Sequence, residues 1–139
     1  MHYLLDTNVL SEIAKPNAEP AVKAWVQAQS VLDLHTSVLV IGEIAKGIGL
    51  LTLGTRRTEL EQWLKHDIPR QFANRIWDVD EAIAVEWGHL TTVGKVLGRE
   101  LKVVDGLILA TASIRKFTIV TRNEADFVER GVPVHNPWR

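Results

Sequence analysis

Four acidic side chains bound or interrupt apolar runs, where charge is expensive. Asp6 closes His2-Tyr3-Leu4-Leu5, and Glu43 sits inside Val38-Leu39-Val40-Ile41-Gly42-Glu43-Ile44-Ala45. Asp105 opens Asp105-Gly106-Leu107-Ile108-Leu109-Ala110, and Asp126 follows Thr118-Ile119-Val120-Thr121 after a short interval. Withdrawing an ionised carboxylate from water is costly unless a counter-charge or hydrogen bonds compensate it. Brought together, the four would form a seat for a hard divalent cation, because Mg²⁺ and Mn²⁺ prefer oxygen ligands. Such an ion polarises a phosphate and acidifies a water, which is the chemistry of a metal-dependent nuclease. Asp6 and Asp105, short side chains at element ends, are the candidates for direct metal ligands. Glu43 and Asp126 are candidates to bind a second ion, hold a water or act as base. Thr7 and Asn8 can orient Asp6 or a water, and Asn123 lies in the same segment as Asp126.

Each acid also has an ordinary reading. Asp6 and Asp105 can be helix starts. Glu43 can pair with Lys46 on its own helix. Asp126 can be a loop acid. The functional case therefore rests on joint placement. The five histidines are scattered with no pair at metal-ligand spacing, which argues against zinc.

These residues need elements to position them. The 139 residues suffice for a single domain spanning 1–139 with a real core, and are too few for two. Apolar and charged fractions of 46% and 24% are those of an ordinary globular protein. A formal charge of −1 excludes nucleic-acid binding by bulk charge, so any such binding must use local basic patches or metal ions. With no cysteine, disulfides and thiolate metal sites are excluded. Asp6 comes too early for a signal peptide, and no apolar run reaches membrane-spanning length. The expectation is a soluble cytoplasmic protein.

His2 to Leu5 reads as a buried strand, followed by a capped helix over Val9 to Ala14 and another from Pro20 to Gln29. Val31 to Thr36 reads as a strand, and Ser37 caps a helix to Leu50. Helical periodicity runs from Thr55 to Asn74, with a kink or end expected at Pro69. Arg75 to Val79 reads as a strand, and Asp80 caps a long helix ending near Gly98. Asp105 begins a helix to Lys116, Phe117 to Thr121 is a strand, and Val132 to His135 is an edge strand limited by Pro133. Alternating strands and helices imply an α/β fold with a parallel sheet covered on both faces. Ligands in such sheets bind beyond the carboxyl ends of the strands, where Asp6, Asp105, Asn123 and Asp126 are expected. Glu43 lies about 9 Å along its helix, and its reach depends on helix tilt.

At these residues the chain resembles the PIN-domain ribonucleases, specifically the VapC-type toxins of bacterial toxin–antitoxin pairs. Leu4-Leu5-Asp6-Thr7-Asn8-Val9-Leu10 is similar to the family's opening strand and first acid, and Ser37 through Glu43 to the segment carrying the second. Asp105 through Ala112 is similar to the helix with the third, and Val120-Thr121-Arg122-Asn123-Glu124-Ala125-Asp126-Phe127 to the closing strand and loop. The resemblance implies a PIN-like α/β/α sandwich with a central, mostly parallel sheet. It also implies a toxin with Mg²⁺-dependent endoribonuclease activity (Mn²⁺ substituting), acting on RNA as a homodimer and blocked by a cognate antitoxin. By position, Asp6, Glu43 and Asp105 match the family's three best-defined acids. The fourth place varies between the Asn123 position and one slightly later, so Asp126 is the assignment here. The proline that members often carry before the third acid is replaced by Lys102-Val103-Val104.

Competing classes have weaker support. Asp6-Thr7-Asn8-Val9 lacks the second acid, two positions on, of haloacid-type phosphatases. No Gly-x-Gly-x-x-Gly follows the first strand, which disfavours a dinucleotide site. A catalytically degenerate PIN domain acting as a protein-binding module remains the alternative, disfavoured by retention of all four acids.

Overall fold

The computed structural model describes residues 1–139. β1 (Tyr3–Leu5) leads directly into α1 (Thr7–Ile13), with Asp6 as the N-cap between them. Proline at the first turn starts α2 (Pro20–Ala28). A 3₁₀ turn over Val31–Asp33 precedes β2 (Leu34–Ser37), so only the second half of the run expected as a strand is extended. Ser37 caps α3 (Val38–Gly49) by accepting from the Leu39 amide.

The long periodic stretch after Thr55 is segmented. α4 (Thr55–Gln62) passes into a π turn over Trp63–Asp67 and then α5 (Ile68–Gln71). Of the kink or end expected at Pro69, the helix does not end there but passes through the π turn just ahead of it, and Pro69 falls in the first turn of α5. β3 is reduced to Ile76–Trp77. Asp80 caps α6 (Glu81–Val96) through the Ile83 amide. α7 (Val103–Arg115) begins two residues before Asp105, which is therefore a first-turn acid and not the helix start. β4 (Thr118–Val120), a short α8 (Glu124–Phe127) and β5 (Val134–His135) complete the chain. Asp126 lies inside α8, correcting the expectation of a loop acid.

The five strands are parallel in the order β3-β2-β1-β4-β5. Leu4 and Leu5 are both fully buried. Successive strand residues point to opposite faces, so burial of both means that helices cover the sheet on both sides. Leu10, Ile108, Leu109, Ile119 and Phe127 share that core. Truncating any one of these leucines to alanine is expected to cost about 2–5 kcal/mol.

The strand order positions the site. β2 flanks β1 on one side and β4 on the other, so the direction of the chain across the sheet reverses at β1. Reversal opens a crevice beyond the carboxyl ends of β1 and β4. Asp6 leaves β1 there, and its amide donates to the Val120 carbonyl at the end of β4 (3.0 Å).

Candidate active site

The site grows from Asp6. Its Oδ1 accepts from the Thr7 amide at 2.8 Å, which caps α1. Its Oδ2 accepts from Thr121 Oγ1, also at 2.8 Å. The pairing of Leu5 with Val120 explains that contact, because the next residue on each strand is then Asp6 or Thr121. Thr121 is fully buried and receives two N–H bonds of its own, from Asn8 Nδ2 and the Asn123 amide, each at 3.1 Å. With both hydroxyl lone pairs engaged, the Thr121 proton is committed to Asp6. Asn8 is clamped in turn, its Oδ1 accepting from the Arg122 amide at 3.1 Å. Burial pushes the Asp6 pKa up from its ordinary range, with repulsion from Glu43 and Asp126 adding to it, against the hydrogen bonds from Thr121 and Thr7.

Glu43 reaches the same place from α3. Thr7 Oγ1 donates to Glu43 Oε1 at 2.7 Å, so the residue after the first acid orients the second. No ion pair joins Glu43 to Lys46, and the simple surface-pair reading therefore fails.

Asp105 approaches from the first turn of α7, and no hydrogen bond lowers its pKa. It is raised from 3.8 to about 6, first by burial, then by the charges of Asp6, Asp126 and Glu43, with Lys102 pulling the other way. Four elements thus contribute carboxylates that meet in electrostatic range at Asp105. Asn123 takes part through its backbone amide on Thr121 and as the residue before α8.

Gly106 sets how closely α7 packs beside α6. A Cβ there would lie 3.0 Å from both Cδ1 and Nε1 of Trp87, whose buried Nε1 has no hydrogen-bond partner. Trp87 is thus packed against the residue that follows Asp105.

The donor set fits a hard divalent cation. It is all carboxylate, it excludes thiolate and imidazole, and burial together with the neighbouring acids raises the Asp105 pKa, a cost a bound cation would relieve. No three of the His, Asp and Glu side chains already converge as a closed cage. Like charges with nothing between them stay apart.

Thr121 and the link from Thr7 to Glu43 were not visible as site features in the sequence. Nothing in a strand-end threonine marks it as a carboxylate donor. Only the β1–β4 register places residue 121 opposite residue 6.

Residues 3–131 match the PIN domain family. Toxin FitB of Neisseria gonorrhoeae is 35% identical over 135 residues, covering 97% of each chain. A VapC ribonuclease, Y4jK, of Sinorhizobium fredii is 32% identical over 135 residues, covering 97% of this chain and 96% of that protein. The crystal structure of FitAcB from Neisseria gonorrhoeae superposes with a TM-score of 0.92 at 34% identity, over 99% of each chain.

Proposed function

The chain belongs to the PIN-domain family, and we propose that it is the toxin of a toxin–antitoxin pair, an endoribonuclease that hydrolyses RNA phosphodiesters with Mg²⁺, Mn²⁺ substituting. The observation that carries this reading is that Asp6 and Asp105, at the sheet's reversal point, both lie within electrostatic range of Glu43 and Asp126, and Asp105 of Asp6. Relatives whose names describe a toxin and a ribonuclease support it.

Asp6 and Asp105 would hold the metal, with Glu43 and Asp126 completing the acidic pocket. The bound ion would supply Lewis acidity toward the phosphate and a lowered pKa for the attacking water. The protein's own part is orientation. Thr7 and Thr121 pin both oxygens of Asp6, so this carboxylate cannot rotate away. Thr7 holds Glu43 Oε1, leaving Oε2 without a hydrogen-bond donor from the protein. Asp105 must be deprotonated to take part; with no ion bound its pKa is raised to about 6, and a bound cation would lower it.

We infer that an antitoxin segment docks in the apolar groove beside Glu43, about 560 Å³ in volume and lined by Val38, Leu39, Leu50 and Val104. Solved complexes of relatives with their antitoxins support a partner of this kind. We further infer that residues 1–139 act as one PIN domain, as a homodimer in the bacterial cytoplasm. No helix is long and apolar enough to cross a membrane.

The test is cleavage of RNA by purified protein titrated with Mg²⁺ or Mn²⁺, beside an Asp105→Asn variant of verified fold. Metal-dependent cleavage by the wild type and none by the variant is expected. RNA or antitoxin binding without cleavage at any ion concentration would instead identify a degenerate PIN module.

A further inference from the structure

The acidic cleft does not end at Asp105 and Asp126. Both residues line a further pocket of about 310 Å³ that Arg99, Lys102 and Arg130 also line, together with exposed Glu100. The basic lining is built, not incidental. Arg130 donates from Nε to the Asp126 carbonyl and from Nη1 to the Arg99 carbonyl, each at 3.1 Å. Arg99 Nη2 donates to the Val128 carbonyl at 3.0 Å. Gly94 permits the close turn behind this lining, since a Cβ there would meet the Arg99 carbonyl oxygen at 2.6 Å. These bonds tie the loop between α6 and α7 to the loop after α8.

All of those acceptors are neutral carbonyls, and none of the three cations forms an ion pair. Lys102 is exposed at the N-cap of α7, and its ammonium is left available to a ligand. A protein with formal charge −1 and a carboxylate-lined cleft has no overall attraction for a polyanion. Attraction must then come from local cations beside the acids.

We propose that this pocket seats a backbone phosphate of single-stranded RNA next to the one cut, with Lys102 as its principal charge contact and Arg99 and Arg130 as its fixed lining. The proposal rests on the nuclease reading for its substrate class. It assigns Lys102 to substrate binding and positioning, with no role in bond cleavage.

The test is the affinity of fluorescein-labelled single-stranded RNA, followed by anisotropy against KCl concentration. It uses Glu43→Gln protein, whose amide oxygen can still accept from Thr7. Adding Lys102→Gln should reduce the slope of log affinity against log salt by about 0.7, the release of one counter-ion. At 0.1 M salt this corresponds to a loss on the order of fivefold. Lys102→Arg should keep both slope and affinity. Lys116→Gln, removing an equal charge at the other end of α7, about 20 Å away, should change neither. An unchanged slope in Lys102→Gln, or an equal fall in Lys116→Gln, overturns the proposal. The cleavage assay stands apart from this one. Protein that binds RNA through Lys102 but never cuts overturns the nuclease reading and leaves the phosphate pocket standing. Protein that cuts RNA with Lys102-independent binding does the reverse.

Discussion

Thr121 Oγ1 lies 2.8 Å from Asp6 Oδ2, and the proton between them belongs to Thr121 because two N–H donors fill its lone pairs. One fully buried hydroxyl therefore joins β4, α1 and the segment before α8 to the first acid of the site. Replacing it with an isosteric apolar group leaves the buried Asp6 Oδ2 only the long 3.5 Å bond from Asn8 Nδ2 and deprives the Asn123 amide of its acceptor. Thr121→Val should lower unfolding free energy by about 1–3 kcal/mol, measured by urea denaturation, and reduce RNA cleavage. Thr121→Ser, keeping the hydroxyl, should retain most of both. A Thr121→Val protein as stable and active as wild type would show that Asp6 needs no such partner.

The raised pKa of Asp105 makes stability fall with rising pH in a metal chelator. The folded state holds this proton up to about pH 6, whereas the ordinary carboxyl releases it near 3.8. Between those values the folded state binds more protons, so this group's stabilising contribution is full below 3.8 and is lost as pH rises through 6. At pH 7 in chelator, Asp105→Asn should therefore melt above wild type. Mg²⁺ or Mn²⁺ should raise the wild-type melting temperature, more at pH 7.5 than at pH 5.5, and should do little for the variant. Scanning fluorimetry at both pH values checks all three expectations.

His35 titrates in the opposite sense. Trp77 Nε1 donates to His35 Nδ1 at 3.0 Å, and indole can only donate, so the neutral imidazole carries its proton on Nε2, 3.1 Å from His2 Nδ1. Burial, then the charges of His2 and Arg75 against that of Asp33, lowers its pKa from 6.5 to about 4. Its stabilising contribution is present above pH 6.5 and is lost as pH falls toward 4, where protonation breaks the Trp77 bond. The stability difference between wild type and His35→Asn should shrink from pH 7 to pH 4.5 in denaturant titrations. A constant difference would mean that the imidazole is not held neutral.

Gly106→Ala tests the contact beside Asp105. The new methyl would lie 3.0 Å from two atoms of the Trp87 ring, so the ring or the first turn of α7 must move. Overpacking of this kind is expected to cost about 1–3 kcal/mol, and Asp105 shifts with its helix. Cleavage should fall more than stability alone explains at a temperature where the variant is fully folded. Adding Trp87→Phe, which frees space and removes the unpaired Nε1, should restore part of both.

The order of elements was legible where local chemistry marks it. Ser37 and Asp80 cap the helices expected of them, and Leu4 and Leu5 form the buried strand that opens the chain. Boundaries failed where local signals are ambiguous. Val31 to Asp33 is apolar enough for a strand yet forms a 3₁₀ turn, and Asp105 resembles a helix start while lying two residues inside the first turn. The π turn at Trp63–Asp67 lies just ahead of Pro69, the residue where a kink or end was expected, but its type had no mark. The short α8 was missed because four residues carry too little periodicity to register.

The amino-acid order alone determined the α/β class, the placement of acids at the ends of apolar elements, and an oxygen-only donor set suited to a hard cation. Tertiary structure decided that β1 lies beside β4, that Thr121 serves Asp6 across 115 residues, and that Thr7 reaches Glu43 across 36. Helix caps and hydrophobic periods are set by neighbours along the chain, whereas strand order and register emerge only when distant segments compete to bury the same apolar surface.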